Sequence, residues 1–300
     1  MFEGVDLFIG LCYTNSMSRV ISSFNMESDT FSFHHTIDEV GSQKLKLKTE
    51  VHTVYEFLYV QTGILYFFID GIIYEATDGD IIVVYPNEIH SLTVDKNCIY
   101  ERKVFMFDYE NLHAFLSKAQ SPFLAISQET NKDLRVIKAY QVKKYGFDTV
   151  FNRLSAAMDR KEKFPIYALN ESMRLLLKLD NLLKDGGIIE QYVEKDIITS
   201  QAINYISKNI FSEIDIDKLA KELFISKSTL YYHFVSHVHI PLGRYIQIAQ
   251  MCKAEELIRR GKPIKEVCEL LGYEYYATFY NVFKRIKGYP PSKIQKERQS

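Results

Sequence analysis

The spacing of apolar positions changes character twice along this chain. From about residue 30 to 107 the apolar runs are short and bounded by turn residues, as in "YEFLYVQTG" (55–63) and "ILYFFIDGIIYEATDGDIIVVYP" (64–86), which reads as an all-β block. Asp70-Gly71 between two apolar runs predicts a two-residue type I′ hairpin. From about 109 to 194 the period lengthens. Leu169, Met173, Leu176, Leu179 and Leu183 fall on one stripe of a helix that "KDGG" (184–187) ends. Such a stripe serves equally as a dimer seam or as a core-facing surface.

The last third contains one helical device twice. In "SEIDIDKLAKELFISKSTLYYHFVSHV" (212–238), Ile216, Leu219, Ala220 and Leu223 mark a short amphipathic helix, broken at Phe224 and Ile225. Ser226 is an N-cap for a second helix with Leu230 and Phe234 on its buried stripe. That leaves Lys227, Ser228, Thr229, Tyr231, Tyr232 and His233 on the remaining faces. Two short helices joined by a tight turn form a helix-turn-helix. "KPIKEVCELLGYEYYATFYNVFKRIKG" (262–288) repeats it: Pro263 opens a helix striped by Ile264, Val267, Cys268 and Leu271. Gly272 closes that helix, and a second one from about Tyr275 to Ile286 buries Phe279 and Phe283. The copies align if one residue is added at the turn. Between them, Tyr245, Ile248, Ala249, Cys252, Leu257 and Ile258 predict one long connecting helix.

Composition narrows the class. An apolar share of 47% over 300 residues is enough for real cores, with about two domains by length. Cys12, Cys98, Cys252 and Cys268 form no CxxC pair, so neither a zinc ribbon nor a disulfide framework is suggested, and a reducing compartment fits. "MFEGVDLFIGLCYTNS" has acids instead of a basic leader, and no apolar run approaches the ~20 residues that span a bilayer. The expectation is a cytoplasmic chain with no membrane partner. The formal charge of −1 hides an asymmetry: residues 196–300 hold 16 Lys and Arg against 11 Asp and Glu, and residues 1–195 hold 21 against 27. The C-terminal third is the end that faces a polyanion.

Over 196–297 the chain resembles the AraC/XylS family of transcription regulators. The resemblance rests on "LAKELFISKSTLYYHF", "PLGRYI…KAEELI" and above all "GYEYYATFYNVFKRIKGYPPSKI" (272–294). It implies two recognition helices entering successive major-groove segments, about 34 Å apart, of double-stranded promoter or operator DNA. Lys284, Arg285 and Lys287 are then expected as phosphate clamps, and Tyr276, Ala277, Tyr280 and Asn281 as the residues facing base edges. Ser228, Tyr231 and Tyr232 are the corresponding set in the first unit, with Lys227 near the backbone. Many members place Arg where this chain has Tyr232, Gln250 and Asn281. The loss of those fork-shaped donors implies A·T-leaning readout at these positions.

"EVHTVYEFLYVQTG" (50–63) and "GDIIVVYPNEIH" (79–90) resemble the two motifs of a cupin barrel, found in the sensory halves of many such regulators. His52 and Glu56, four residues apart on one strand face, are expected to meet His90 from a later strand. Two histidines and a carboxylate approach a non-haem iron set, but Glu50 stands where the usual first histidine would be. The expected site is therefore an effector pocket built on Glu50, His52, Glu56, Tyr66 and His90, with no metal, no cofactor and no catalytic residue. Leu58 and Val60 should share the face of Glu56, and Phe57 and Tyr59 the other. Phe68 and Tyr85 are further lining candidates. His34 and His35 either reach the barrel mouth or lie on the surface.

The expected architecture is α+β and multidomain: a cupin-like β-barrel over 1–108, a helical connector and dimerisation region over 109–194, and an all-α DNA-binding domain with two helix-turn-helix units over 195–300. The expected function is a DNA-binding transcription regulator that senses a small molecule, carbohydrate-related by its Tyr, His and carboxylate lining, as a homodimer. RNA polymerase is a further candidate partner. The alternative is a metal-dependent cupin dioxygenase or isomerase fused to a DNA-binding module.

Overall fold

In a computed structural model of the chain, the described residues are 16–25, 31–47, 49–69, 71–108, 134–186, 194–212 and 214–299. Cys12, Asp70 and the stretch 109–133 of the expected connector lie outside them. The chain forms two compact units that part between Glu194 and Lys195.

The first unit is built from strands β1 (Ser16–Asn25), β2 (Phe31–Val40), β3 (Leu45–Lys46), β4 (Tyr55–Thr62), β5 (Leu65–Ile69), β6 (Ile72–Ala76), β7 (Ile81–Val84), β8 (His90–Val94), β9 (Cys98–Phe107) and β10 (Val136–Ile137). One sheet runs β1-β2-β9-β4-β7-β10 and a second places β6-β5-β8-β3 side by side. Gly71 joins β5 to β6 with a φ of +84°, a left-handed position that glycine takes without a Cβ penalty. β1 was not legible as a strand: "SMSRVISSFN" is rich in serine, and it lies at the sheet edge, where one flank needs no apolar partner.

Period-two alternation gives the large sheet two different faces. Phe31, Phe33, Tyr55, Phe57, Tyr59, Ile81, Val83, Phe105 and Phe107 pack against helices α1 (Ala139–Tyr145), α2 (Asp148–Ala157) and α3 (Phe164–Lys184) in one hydrophobic core. Residues 139–184 are thus part of the first unit rather than a separate connector. On α3, Leu176 and Leu179 are buried in this core and Leu169 is exposed, so the stripe read from the sequence is mostly core-facing. Asp80 ties the layers together: its Oδ1 accepts from the first amide of α1 at Ala139, 2.8 Å away, and its Oδ2 pairs with Lys138 at 2.9 Å.

The second unit is helical: α4 (Ile197–Lys208), α5 (Ile216–Glu222), α6 (Lys227–Val238), α7 (Leu242–Arg259), α8 (Ile264–Leu270), α9 (Tyr276–Lys287) and α10 (Pro291–Gln299). Asp196, Asp215 and Ser226 cap α4, α5 and α6 by accepting from first-turn amides. The second half of the unit has its own core, in which Met251 and Ile258 of α7 meet Val267 of α8, Phe279 and Phe283 of α9, and Ile294. In the first half, Phe234 of α6 packs edge-on against Tyr245 of α7, with ring centroids 5.1 Å apart.

Candidate nucleic-acid interface and effector site

The two helix-turn-helix units share the same turn. In the first, Phe224 N donates to Lys221 O and Ile225 N to Ala220 O. In the second, Gly272 N donates to Glu269 O and Tyr273 N to Cys268 O. Both are helix ends with a left-handed residue, at φ +56° for Phe224 and +74° for Gly272. One extra residue then precedes α9, as the aligned copies require.

Each second helix buries one stripe at i, i+4, i+8: Leu230, Phe234 and Val238 on α6, and Phe279, Phe283 and Lys287 on α9. On α6 Lys227, Ser228, Tyr231 and Tyr232 are exposed. On α9 Tyr276, Ala277, Asn281, Lys284 and Arg285 are exposed, with Tyr280 half-buried beside Tyr276. Lys227 and Tyr276 stand in the first turn, three residues before Leu230 and Phe279 and so at the head of each buried stripe, whereas Ser228 and Tyr232, and Ala277, Asn281, Lys284 and Arg285, lie away from it. Two of the expected basic contacts are engaged within the protein. Lys227 Nζ lies 2.6 Å from Asp217 Oδ2 of α5, an exposed pair. Arg285 donates to Gln247 on α7 at 3.1 Å.

Lys287 is a correction. It is 9% exposed, with Nζ 2.8 Å from the buried Glu255 of α7 and 3.2 Å from Cys252 Sγ. Position i+4 from Phe283 puts it on the buried stripe, so it is a core ion pair rather than a phosphate clamp. Arg259 and the Tyr289 hydroxyl also donate to Glu255. Burial alone would raise this carboxyl. The charges of Lys287 and Arg259 outweigh it and hold the group below the usual carboxylate range.

In the first unit, His52, Glu56 and His90 meet as expected, all buried. His52 Nε2 lies 2.8 Å and His90 Nε2 3.5 Å from the same Glu56 oxygen. Their Nδ1 atoms face the carbonyls of Val54 and Glu88 at 2.8 and 2.9 Å, which fixes both rings. Burial would raise the Glu56 carboxyl, but the bonds from His52 and His90 hold it well below the ordinary range. His90 moves the other way: burial lowers it, and the hydrogen bond and charge of Glu56 raise it further. His52 is at hydrogen-bond distance from that oxygen and His90 stands further off, and one ligand atom from each of the three lies within 4.8 Å of the others.

Two expected lining residues lie elsewhere. Glu50 is exposed and pairs with His90 through a backbone bridge whose bonds are 2.8 and 3.0 Å. Tyr66 is half-buried under Lys44, and its neighbour Phe67 is the one that stacks on His90, 5.7 Å between centroids. One step along β5 changes the face, so Phe67 takes the place expected of Tyr66. Tyr85 packs with Tyr55 in the helix-side core. His35 pairs with Glu101 at 2.6 Å. His34 shares the Glu56 face, and burial lowers its pKa ahead of the opposing Glu56 charge.

The same face carries residues that sequence reasoning missed. Tyr100 is wholly buried, its ring lies under the Arg102 guanidinium at 4.5 Å, and its hydroxyl has no hydrogen-bond partner among the described residues. Arg102 in turn pairs with Asp38. The β2–β9 register brings these groups together by setting Asp38 opposite Tyr100 and Thr36 opposite Arg102, a pairing more than 60 residues long in sequence.

A β unit with a buried polar cluster, followed by a helical unit with two helix-turn-helix devices, defines a one-chain regulator with a ligand-binding part and a DNA-binding part. Residues 39–161 match the AraC-like ligand binding domain and residues 219–297 a helix-turn-helix domain family. The HTH-type transcriptional regulator YdiP of Escherichia coli (strain K12) is 24% identical over 251 residues, 81% of this chain and 78% of that protein. The Msm operon regulatory protein of Streptococcus mutans is 27% identical over 143 residues, 45% of this chain and 51% of that one. The crystal structure of ToxT from Vibrio cholerae O395 is 15% identical and covers 88% of this chain and 96% of its own, with a TM-score of 0.36. The chain belongs to the AraC family of transcription regulators, with an AraC-like ligand-binding domain and a helix-turn-helix domain. It is a DNA-binding transcription regulator. Among the described residues, no helix is long and apolar enough to cross a membrane.

Proposed function

We propose that this regulator senses a small, neutral, polyhydroxylated molecule of carbohydrate type on the polar face of its first unit, and that occupancy changes its action on DNA. The carrying observation is the buried Tyr100 hydroxyl, which has no hydrogen-bond partner among the described residues. A buried polar group left unpaired is costly, and a ligand hydroxyl would relieve that cost. The neighbouring groups favour a neutral ligand over an anion: Arg102 is held by Asp38 and Glu56 by two histidines. Phe67, stacked on His90, offers an apolar ring face of the kind sugars pack against.

On DNA, Ser228, Tyr231 and Tyr232 of α6 and Ala277, Tyr280 and Asn281 of α9 are the groups we assign to base edges. Lys284 and Arg285 go to phosphates. Pairing of two copies is assigned to the exposed Ile166, Leu169 and Leu177 of α3.

A thermal-shift panel on the full-length protein tests the effector reading. Sugars and sugar phosphates would be compared, with divalent metals and a chelator as controls. A ligand at 100 times its Kd adds about 2.7 kcal/mol. A neutral sugar should raise the melting temperature, and Tyr100→Phe should abolish the rise. A response confined to anions, or one that Tyr100→Phe leaves intact, would overturn the assignment.

A further inference from the structure

A second cluster of ligating side chains lies in the helical unit, where no motif pointed to chemistry. Asp196 caps α4, and His233 and His237 stand one turn apart on α6. One ligand atom from each of the three lies within 4.8 Å of the others. His233 Nδ1 is 3.2 Å from Asp196 Oδ1 and His237 Nδ1 is 3.6 Å from Asp196 Oδ2. The imidazole rings stack, their planes 6° apart. The side chains keep 13% to 30% of their surface in solvent, so an ion has a way in.

These spacings differ from those of the barrel cluster in a way that matters for metal. Ligands held 2.0–2.1 Å from a tetrahedral ion lie about 3.3 Å from one another. The Asp196 contacts straddle that figure, whereas the 2.8 Å contact of His52 with Glu56 is a hydrogen bond. The donor set is also right: two imidazoles and a carboxylate suit zinc and its neighbours, not calcium or magnesium.

We propose that Asp196, His233 and His237 form a binding site for a divalent transition cation of the zinc type, with water completing the coordination. Without an ion His237 Nδ1 faces the His233 carbonyl at 2.8 Å, Ser236 Oγ at 3.1 Å and Asp196 Oδ2 at 3.6 Å, and a proton on it would serve these oxygens. The ion takes that place on the ring and the proton moves to Nε2, leaving the imidazole neutral. His233 borders the exposed face of α6, its ring 5.9 Å from that of Tyr232 and edge-on to it. The ion therefore fastens the first recognition helix to the start of α4 beside that face.

The test uses the full-length chain stripped with EDTA. It is titrated with Co2+, followed by its visible ligand-field bands, and with Zn2+ in competition against a chromophoric chelator. One equivalent should bind to the wild type, and His233→Gln/His237→Gln should lose it. Asp196→Asn keeps a capping oxygen for Thr199, so the fold is retained. It should nonetheless weaken uptake about tenfold or more, since a direct ligand costs no less than an outer partner. Absence of uptake by the wild type, or uptake unchanged in both variants, overturns the site.

Discussion

Phe224 and Gly272, 48 positions apart, occupy the same left-handed point of two equivalent turns. Glycine takes that backbone at no steric cost, while a side chain with a Cβ pays about 1–2 kcal/mol. Phe224 recovers nothing by packing, because it is 96% exposed. Phe224→Gly should therefore stabilise the first helix-turn-helix by roughly 0.5–1 kcal/mol, the relief of strain less the entropy that glycine adds to the unfolded chain. Slower hydrogen exchange of the α5 and α6 amides would show it. Faster exchange would mean that Phe224 makes a contact in solution that offsets its strain.

Lys287→Met should destabilise the second half of the helical unit by about 3 kcal/mol, because it leaves Glu255 buried with only part of its compensation. Lys287→Met combined with Glu255→Leu removes both charges and should cost less than the single change. Hydrogen exchange of α7 and α9 reads both. If the single variant exchanges like the wild type and binds DNA less tightly at every sequence, Lys287 belongs to the interface instead.

The contrast between Lys287 and its neighbours shows what a sequence can carry. The stripe 279-283-287 is plain from periodicity, yet "KRIK" invites a reading by residue type, and for Lys287 position outranks type. The helices, both turns and the His52, Glu56 and His90 meeting were legible because each depends on spacing within a few residues or on a resemblance with fixed motifs. Tyr66 was misassigned because one residue of strand register reverses its face. Tyr100, Arg102 and Asp38 were invisible for another reason: β2 and β9 join them across more than 60 residues, and pairing of distant strands leaves no local periodic mark. The same holds for Asp196 and the two histidines of α6.

The Glu56–His90 pair gives the first unit a pH optimum whose sign can be worked out. His90 titrates above its ordinary 6.5 when folded, so its stabilisation is complete below 6.5 and is lost as pH rises through the raised value. Glu56 titrates below its ordinary 4.5, so its share is complete above 4.5 and is lost as pH falls through the depressed value. Stability from this pair peaks between those two ordinary values. The melting temperature of the first unit should fall as pH rises above 6.5 and through the raised His90 value, and Glu56→Gln should flatten that fall. A wild-type curve no steeper than that of Glu56→Gln would show that the pair is not coupled.

Leu176→Glu and Leu177→Glu separate core from assembly on adjacent positions of α3. Leu176 is fully buried against the sheet, and a charge there should unfold the first unit. Leu177 is exposed, so Leu177→Glu should leave the unfolding free energy within about 0.5 kcal/mol of wild type. It should shift sedimentation toward the monomer if the exposed stripe pairs two copies. A folded Leu177→Glu chain that sediments as the wild type does would remove this face from assembly.

Lys284 and Arg285 offer the cleanest division between affinity and readout. Both are exposed on the α9 face that also presents Ala277 and Asn281. A phosphate contact contributes to every sequence alike and to the salt dependence, at about 0.9 in slope for each charge on duplex DNA. Lys284→Ala with Arg285→Ala should weaken operator and random DNA by the same factor and reduce the slope by roughly 1 to 2. Asn281→Ala should instead weaken only the preferred site and relax selection at one or two base pairs, leaving the slope unchanged. If the double variant lost specificity while Asn281→Ala lost affinity for all DNA, the two roles would have to be exchanged. The major-groove face of α9 would then read sequence through its charged residues.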